Sequence, residues 1–449
     1  MTKVKWINHS SLLIEDGDKI ILTDPWFEKP AFGSWLPVPP PIYHPAYLLS
    51  LAKANEDNFT LLISHGHDDH CDDDFLKLFP NTVQVIIPKY ASPGFSKRVK
   101  RAGFTNILEI DGEAEVDGIK YNTFINHDIS HDDAIVTIET SDSFVIHAND
   151  NWRCPDNIVE GIVKSKGDKP TLMATQIGIA TGWPYLYTDY TWEERVKVAQ
   201  NRLAEVTKKV YDSLVKMNID HFFVYAGHSK AFTKNEDIMN ISGFQPHTFY
   251  KSVLSWDEVN YLEMLPGDEF DFAQQKVIRP FKNRYTEQNL KDSSIEFYNL
   301  YKRYEATDAH INNKEIFTSD NREDKISEFL DAFNSYVTLN IERLGNFQNK
   351  ILGSRIRIED EDGAGVSIIV SKREDSIFLN RDEKVDTVYT LSKPILDAIL
   401  CGKIIWENAE IGLQMKVSTE NDYHNGHILR WLSKFGYVWA KNQKVRMGV

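Results

Sequence analysis

Seven consecutive residues, Ser64-His65-Gly66-His67-Asp68-Asp69-His70, carry the densest chemistry in the chain. Two histidines two residues apart, followed by an aspartate and a third histidine, cannot all project from one face of a helix or strand. They can converge if a strand ends just before them and a tight turn wraps them about a point. That geometry suits two metal ions, with a pair of imidazoles for one and a carboxylate plus an imidazole for the other. Imidazole and carboxylate ligands fit Zn, Fe or Mn rather than Ca or Mg. Further ligand-capable residues follow later strand-like runs: Asn126-His127, Asn149-Asp150 and Gly227-His228. His131 competes with His127 in the same loop, and the spacing does not separate them. A carboxylate such as Asp150 can bridge two metals. A lone histidine at a strand end is usually just hydrogen-bonded, and His147 and His221 are read that way.

The elements that must position these residues alternate between strand and helix. Val4–Asn8, Ser11–Glu15, Lys19–Leu22, Thr60–Ile63, Val83–Pro88, Tyr121–Ile125, Ile135–Glu139, Ser143–Ile146 and Phe222–Tyr225 read as short strands bounded by turn residues. Asp72–Phe79 and Pro93–Ala102 read as helices. A longer helix runs from Thr191 to Met217, with an apolar stripe from Val196 to Met217 and a capping box between Thr191 and Glu194. The ligand candidates fall just after strands, where an α/β fold places its functional groups. From about Ala273 the character changes: polar, charged segments give way to strands around 351–380 and helices at Lys393–Leu400 and Asp422–Phe435. Two domains are therefore expected, 1–272 and 273–449.

The chain has 449 residues and a formal net charge of −15. An acidic balance excludes a general nucleic-acid backbone binder. Its three cysteines cannot build a disulfide framework, no apolar run approaches a membrane span, and the start resembles no signal peptide. A cytoplasmic protein is expected.

Thr23-Asp24-Pro25-Trp26, the His65/His67/Asp69/His70 string, the His127 or His131 loop, Asp150 and Gly227-His228 stand in the order of the metallo-β-lactamase superfamily, which the first 230 or so residues resemble. The resemblance implies an αββα sandwich carrying two divalent metals at one edge, here followed by a C-terminal α+β accessory region. It implies His65, His67 and His127 on one metal and Asp69, His70 and His228 on the other. Asp150 would bridge, and Asp24 would orient ligands from behind. Asp69 and Asp150 would be the catalytic carboxylates. Asn149 and Asn151 replace the family's usual glycine and threonine around the bridging aspartate.

A narrower likeness is to the catalytic region of CMP-N-acetylneuraminate hydroxylases, through Leu22–Trp26, Pro30-Ala31-Phe32, Phe223–Gly227 and Val385–Gly412 around Ile404-Ile405-Trp406-Glu407. It implies a diiron centre and O2-dependent hydroxylation of a sugar, a nucleotide sugar or a similar small anionic substrate. Those enzymes carry a Rieske domain, for which Cys71, Cys154 and Cys401 supply no ligand pairs, so electrons would come from a separate ferredoxin or Rieske protein. His228 departs from the hydroxylase pattern and matches hydrolytic members. The alternative is therefore a Zn or Mn lactonase or phosphodiester hydrolase using a metal-bridging hydroxide. Trp183 and Tyr185, in the aromatic loop 178–190, and Arg153, with Arg195 and Lys230, are the candidates for substrate contact. The Pro-rich stretch Trp35–Tyr43 could be an ordered loop, a lid or a homo-oligomer contact.

Overall fold

The computed structural model describes residues 1–38, 40–126, 133–178, 180–226, 229–231, 247–281, 315–341, 348–373, 375–420 and 426–446. His127, His131 and His228 lie outside the described residues.

The strands in chain order are β1 (Lys3–Asn8), β2 (Ser11–Asp16), β3 (Lys19–Thr23), β4 (Trp35–Pro37), β5 (Phe59–Leu62), β6 (Gln84–Pro88), β7 (Ile107–Ile110) and β8 (Glu113–Val116). Then come β9 (Ile119–Ile125), β10 (Ala134–Glu139), β11 (Phe144–His147), β12 (Thr171–Gln176), β13 (His221–Tyr225), β14 (Ser229–Ala231), β15 (Asn260–Tyr261), β16 (Glu269–Asp271) and β17 (Lys276–Ile278). An eight-stranded sheet has the order β17-β16-β1-β2-β3-β5-β6-β7, and a seven-stranded sheet the order β15-β13-β12-β11-β10-β9-β8. The hairpin β16–β17 adds to the first sheet from both sides of position 272.

Side chains alternate along each strand, so one sequence supplies two layers. Trp6, Leu12, Ile14 and Ile21 meet Val136, Val145, Leu172 and Phe223 between the sheets. Their neighbours Ile7, Leu13, Ile20 and Leu22 face outward, onto helices Pro45–Ala54, Asp73–Leu76 and Gly94–Arg101. On the other side Phe144, Ile146, Met173 and Phe222 pack on helices Asp156–Lys166, Trp192–Met217 and His247–Val253. The expected αββα sandwich is the observed one. The capping box also forms, with Thr191 and Glu194 each satisfying the other's backbone N–H.

Beyond the sandwich, β18 (Arg355–Asp360), β19 (Gly365–Ile369), β20 (Ile377–Leu379), β21 (Thr387–Leu391) and β22 (Met415–Thr419) form a third sheet, ordered β20-β19-β18-β21-β22. Helices Ser319–Asn340, Lys393–Leu400, Trp406–Glu410 and Gly426–Arg446 pack with it. Its core also takes in Trp26, Phe32, Trp35 and Tyr185 to Tyr187 from the sandwich loops. Thr188 and Val417 join the two regions by backbone bonds, Val417 N–H donating to Leu186 O and Thr188 N–H to Val417 O, both at 2.8 Å.

Glu410 sits in this shared core, accepting from the Ser433 hydroxyl at 2.9 Å. Burial, with the charge of Glu407 adding, pushes its carboxyl up to about 7 against the bonds from Ser433 and the Gly182 N–H. A folded value above the unfolded one means that the native state binds the extra proton. The contribution of Glu410 is then full below pH ~4.5 and is lost as pH rises through about 7, by roughly 3 kcal/mol. Glu410→Gln is expected to flatten that slope. Its melting temperature should exceed the parent's at pH 8 and match it at pH 4.5, as read by calorimetry across pH.

Candidate metal centre

The parallel strands deliver their ends to one edge of the sandwich. There β1 ends at His9, β3 at Asp24, β5 at the 64–70 loop, β11 at Asn149-Asp150 and β13 at Ala226. His9, Asp24, Asn149 and Ala226 all have positive φ, between +36° and +54°. For residues with a Cβ this conformation is costly, and such strain gathers where side chains are aimed at a shared point.

The 64–70 loop is held by Arg98 on the Gly94–Arg101 helix. Its guanidinium reaches Asp68 at 2.9 Å, Asp73 at 2.8 Å and the Cys71 carbonyl at 2.8 Å, and it also donates to the Gly66 carbonyl. A single ammonium cannot reproduce that fork. Arg98→Lys is expected to lower stability by about 2 kcal/mol in urea unfolding and to weaken metal retention, while the Arg98→Lys chain keeps its net charge.

Within the loop, His65 Nε2 and His67 Nδ1 face each other at 2.8 Å. Asp150 Oδ2 stands 3.7 Å from the first and 3.9 Å from the second. Its other oxygen, Oδ1, lies 3.3 Å from His70 Nε2, which is 3.8 Å from Asp69 Oδ2. These separations bracket the ~3.3 Å between neighbouring ligand atoms on a tetrahedral ion with bonds of about 2.0–2.1 Å. The two carboxylate oxygens of Asp150 thus face different imidazoles, Oδ2 those of His65 and His67 and Oδ1 that of His70, in a cluster that also brings His65 close to His70.

The proton inventory behind the site fixes which atoms can be ligands. Asn149 N–H donates to the Tyr225 hydroxyl oxygen at 3.0 Å, so that hydroxyl donates to His147 Nδ1 at 2.6 Å. His147 Nε2–H then donates to Asp24 Oδ2 at 2.9 Å. Asp24 also accepts from Ser64 N–H, the Ser64 hydroxyl and His70 Nδ1–H, at 2.7, 2.6 and 2.8 Å. With Nδ1–H committed to Asp24, His70 has Nε2 to offer on the side of Asp69 and Asp150 once a metal displaces its proton. Among the described residues, His70 Nε2, Asp69 Oδ1 and Asp150 Oδ1 are buried without a hydrogen-bond partner. Acceptors converging in a buried space fit a cation, and neutral imidazole with carboxylate is the donor set of Zn, Fe or Mn.

The charges agree with this. Burial, His70 and His67 hold the His65 imidazole well below its ordinary value. Burial opposes charge on His67 as well, but the bond to Asp150 and the charges of Glu407, Asp69 and Asp150 outweigh it and push that imidazole up to about 10. His70 is raised too, by Asp150 and Asp69 against burial. A metal would have to displace those protons, so its uptake should release protons and strengthen with rising pH.

Several contributors were not legible as site residues. His147, read as an ordinary strand residue, lies behind Asp24. His9 lies beside Asp69, at 3.1 Å. Asp133 approaches His65 Nδ1 at 3.6 Å and accepts from Asn151 at 2.9 Å, and burial with the neighbouring Asp150 pushes it up to about 8. Asn149 and Asn151, the departure from the family pattern, brace Asp150: Asn149 Oδ1 accepts from Asp150 N–H at 2.6 Å and from Asn151 Nδ2 at 3.1 Å.

Of the substrate-contact candidates, Tyr185 is buried in the third core, and Trp183 packs against it beneath Arg202. Arg195 donates to the carbonyls of Tyr185 and Tyr190, bracing their loop. Arg153 is exposed. Phe32 stands edge-on to His67 at 6.0 Å, at the junction with the accessory region.

Among known proteins, residues 3–146 match the family model described as the β-lactamase superfamily domain. A Mycolicibacterium smegmatis protein named a Rieske 2Fe-2S iron-sulfur protein is 32% identical over 108 residues, 24% of this chain and 20% of that one. A Mycobacterium tuberculosis protein of the same description is 29% identical over the same shares. The chain thus spans about a fifth of the length of these curated relatives. Among solved structures, a metallo hydrolase of Ignicoccus hospitalis aligns at TM-score 0.38 and 17% identity, over 60% of this chain and 99% of that one. CmlA, a diiron β-hydroxylase of Streptomyces venezuelae, aligns at TM-score 0.38 and 16% identity, over 62% and 54%. Likenesses this remote carry no argument about reaction. Among the described residues no helix is long and apolar enough to cross a membrane. The histidine-rich loop at the end of β5, and the strands of the sandwich that aim it, lie within the residues that match the β-lactamase superfamily domain.

Proposed function

We propose that the chain is a dinuclear-metal oxygenase that hydroxylates a small anionic substrate, a sugar or nucleotide sugar being the class favoured, with electrons from a separate Rieske or ferredoxin-type protein. The observation that carries the dinuclear part is Asp150, whose two oxygens face His65 with His67 on one side and His70 on the other. His65, His67 and one of His127 or His131 would hold one iron. Asp69, His70 and His228 would hold the other, with Asp150 shared. When bound, the irons supply O2 activation and electron transfer. The residues behind them hold the ligand tautomers, and the accessory region packs against the loop that carries Phe32 beside His67. The balance is R–H + O2 + 2e⁻ + 2H⁺ → R–OH + H2O. The preference for redox chemistry rests on the relatives named as Rieske proteins and on the hydroxylase likeness of the sequence.

The test is elemental analysis of protein purified without added metal, followed by O2 uptake with reductant and nucleotide sugars. Two irons per chain and substrate-dependent O2 uptake are expected. A second reading, hydrolysis, is favoured by His228, which completes the ligand set of hydrolytic members. Two zincs or manganese, with O2-independent turnover of lactones or phosphodiesters, would establish it instead.

A further inference from the structure

Asp69 is gripped from outside the expected ligand set. His9 Nε2 stands 3.1 Å from Asp69 Oδ2, and the His9 side chain is fully buried. Its ring meets Trp26 edge-on at 5.0 Å and His70 at 5.5 Å. Its backbone is left-handed, at φ +37°, and its carbonyl accepts from Trp6 Nε1 at 2.8 Å and Ala226 N at 3.2 Å. The imidazole is thereby aimed at Asp69 from the tip of the β1–β2 hairpin.

Two roles fit this place: ligand to the second metal, or donor to Asp69. A ligating imidazole hands its other N–H to an acceptor. His70 has Asp24 for this, and His65 has the Ser64 hydroxyl oxygen at 3.0 Å. His9 Nδ1 is buried with no hydrogen-bond partner among the described residues. A buried N–H without an acceptor is rarer than a buried lone pair without a donor. The hydrogen therefore belongs on Nε2, where Asp69 accepts it.

Resting on the dinuclear reading above, we propose that His9 is a positioning residue for the second metal. Its Nε2–H fixes the Asp69 carboxylate and leaves the remaining Asp69 lone pairs to the ion, without His9 itself ligating. The test titrates Zn(II) and Co(II) into full-length apo chains and counts bound metal by mass spectrometry of dialysed samples. The parent should hold two Zn(II). His9→Ala should hold the first unchanged and bind the second about 10–100-fold more weakly. His9→Gln, which keeps an N–H donor of similar reach, should hold both and leave the visible Co(II) spectrum of the second position unaltered. If His9→Ala holds both as tightly as the parent, the proposal is wrong. If His9→Gln loses the second ion, or its Co(II) spectrum changes, His9 is a ligand and the positioning role falls. A parent chain that takes up a single Zn(II) instead defeats the dinuclear reading itself. Should His9→Ala not fold, the His9→Gln result alone still decides between the two roles.

Discussion

Asp150→Ala is expected to yield a folded chain that retains neither metal equivalent after dialysis. Each oxygen of Asp150 faces a different donor set, at 3.3 Å from His70 Nε2 and 3.7 Å from His65 Nε2. Removing the side chain takes a charged ligand from both positions at once. Even a partner one shell further out is worth about 10–100-fold in affinity, so each equivalent should weaken by more than about 100-fold. His67→Ala, which touches one set only, should lose one equivalent and keep the other. Metal counting by mass spectrometry separates the two patterns. One ion still held tightly by Asp150→Ala would show that the carboxylate serves a single position.

What could be read in advance, and what could not, follows from how the site is assembled. The 64–70 string is legible because its ligands are packed into one turn, where no structural need explains them. Asp150 is legible as a carboxylate just past a strand. His147 was not, because a single histidine at a strand end looks the same whether it faces solvent, core or site. Its face follows from Val145: two residues on, His147 points between the sheets as Val145 does, toward Tyr225. Asp24, His147 and Tyr225 meet because β3 belongs to one sheet and β11 and β13 to the other. Nothing local in the sequence records that pairing. The role of His9 is illegible for the same reason, since its partner Asp69 is sixty residues away. The helix at Asp72–Phe79 shrinks to Asp73–Leu76, with Asp72 as its N-cap. The other Asp72 oxygen accepts from Phe27 and Glu28 at 3.0 and 2.7 Å, tying the loop after Asp24 to the metal loop. The strand-rich part of the C-terminal region was legible from its turns, but not that its core would include Phe32 and Trp35.

Asp24→Asn is the other large effect, because it changes a charge and a proton inventory while keeping the shape. Burial raises the cost of an ionised Asp24, yet His147 and His70 hold it well below the ordinary carboxylate range. All four of its partners donate to it: Ser64 twice, His70 and His147. An amide in its place must turn its NH2 toward either Ser64 N–H or the two imidazole N–H groups, and each orientation sets donor against donor. The network can relieve this by moving the His70 proton from Nδ1 to Nε2, which removes the lone pair from the second metal position. The second equivalent should therefore weaken about 10–100-fold, and the chain should lose roughly 3–5 kcal/mol, as when a buried charge pair is broken. The pH dependence carries the sign. A depressed carboxyl contributes its stability above its unfolded value near 4 and loses it only as pH falls toward the folded value. The deficit of Asp24→Asn should then shrink as pH falls below about 5, in urea unfolding at several pH values. A deficit that grows in acid, or full retention of the second ion, would mean that Asp24 does not set the His70 tautomer.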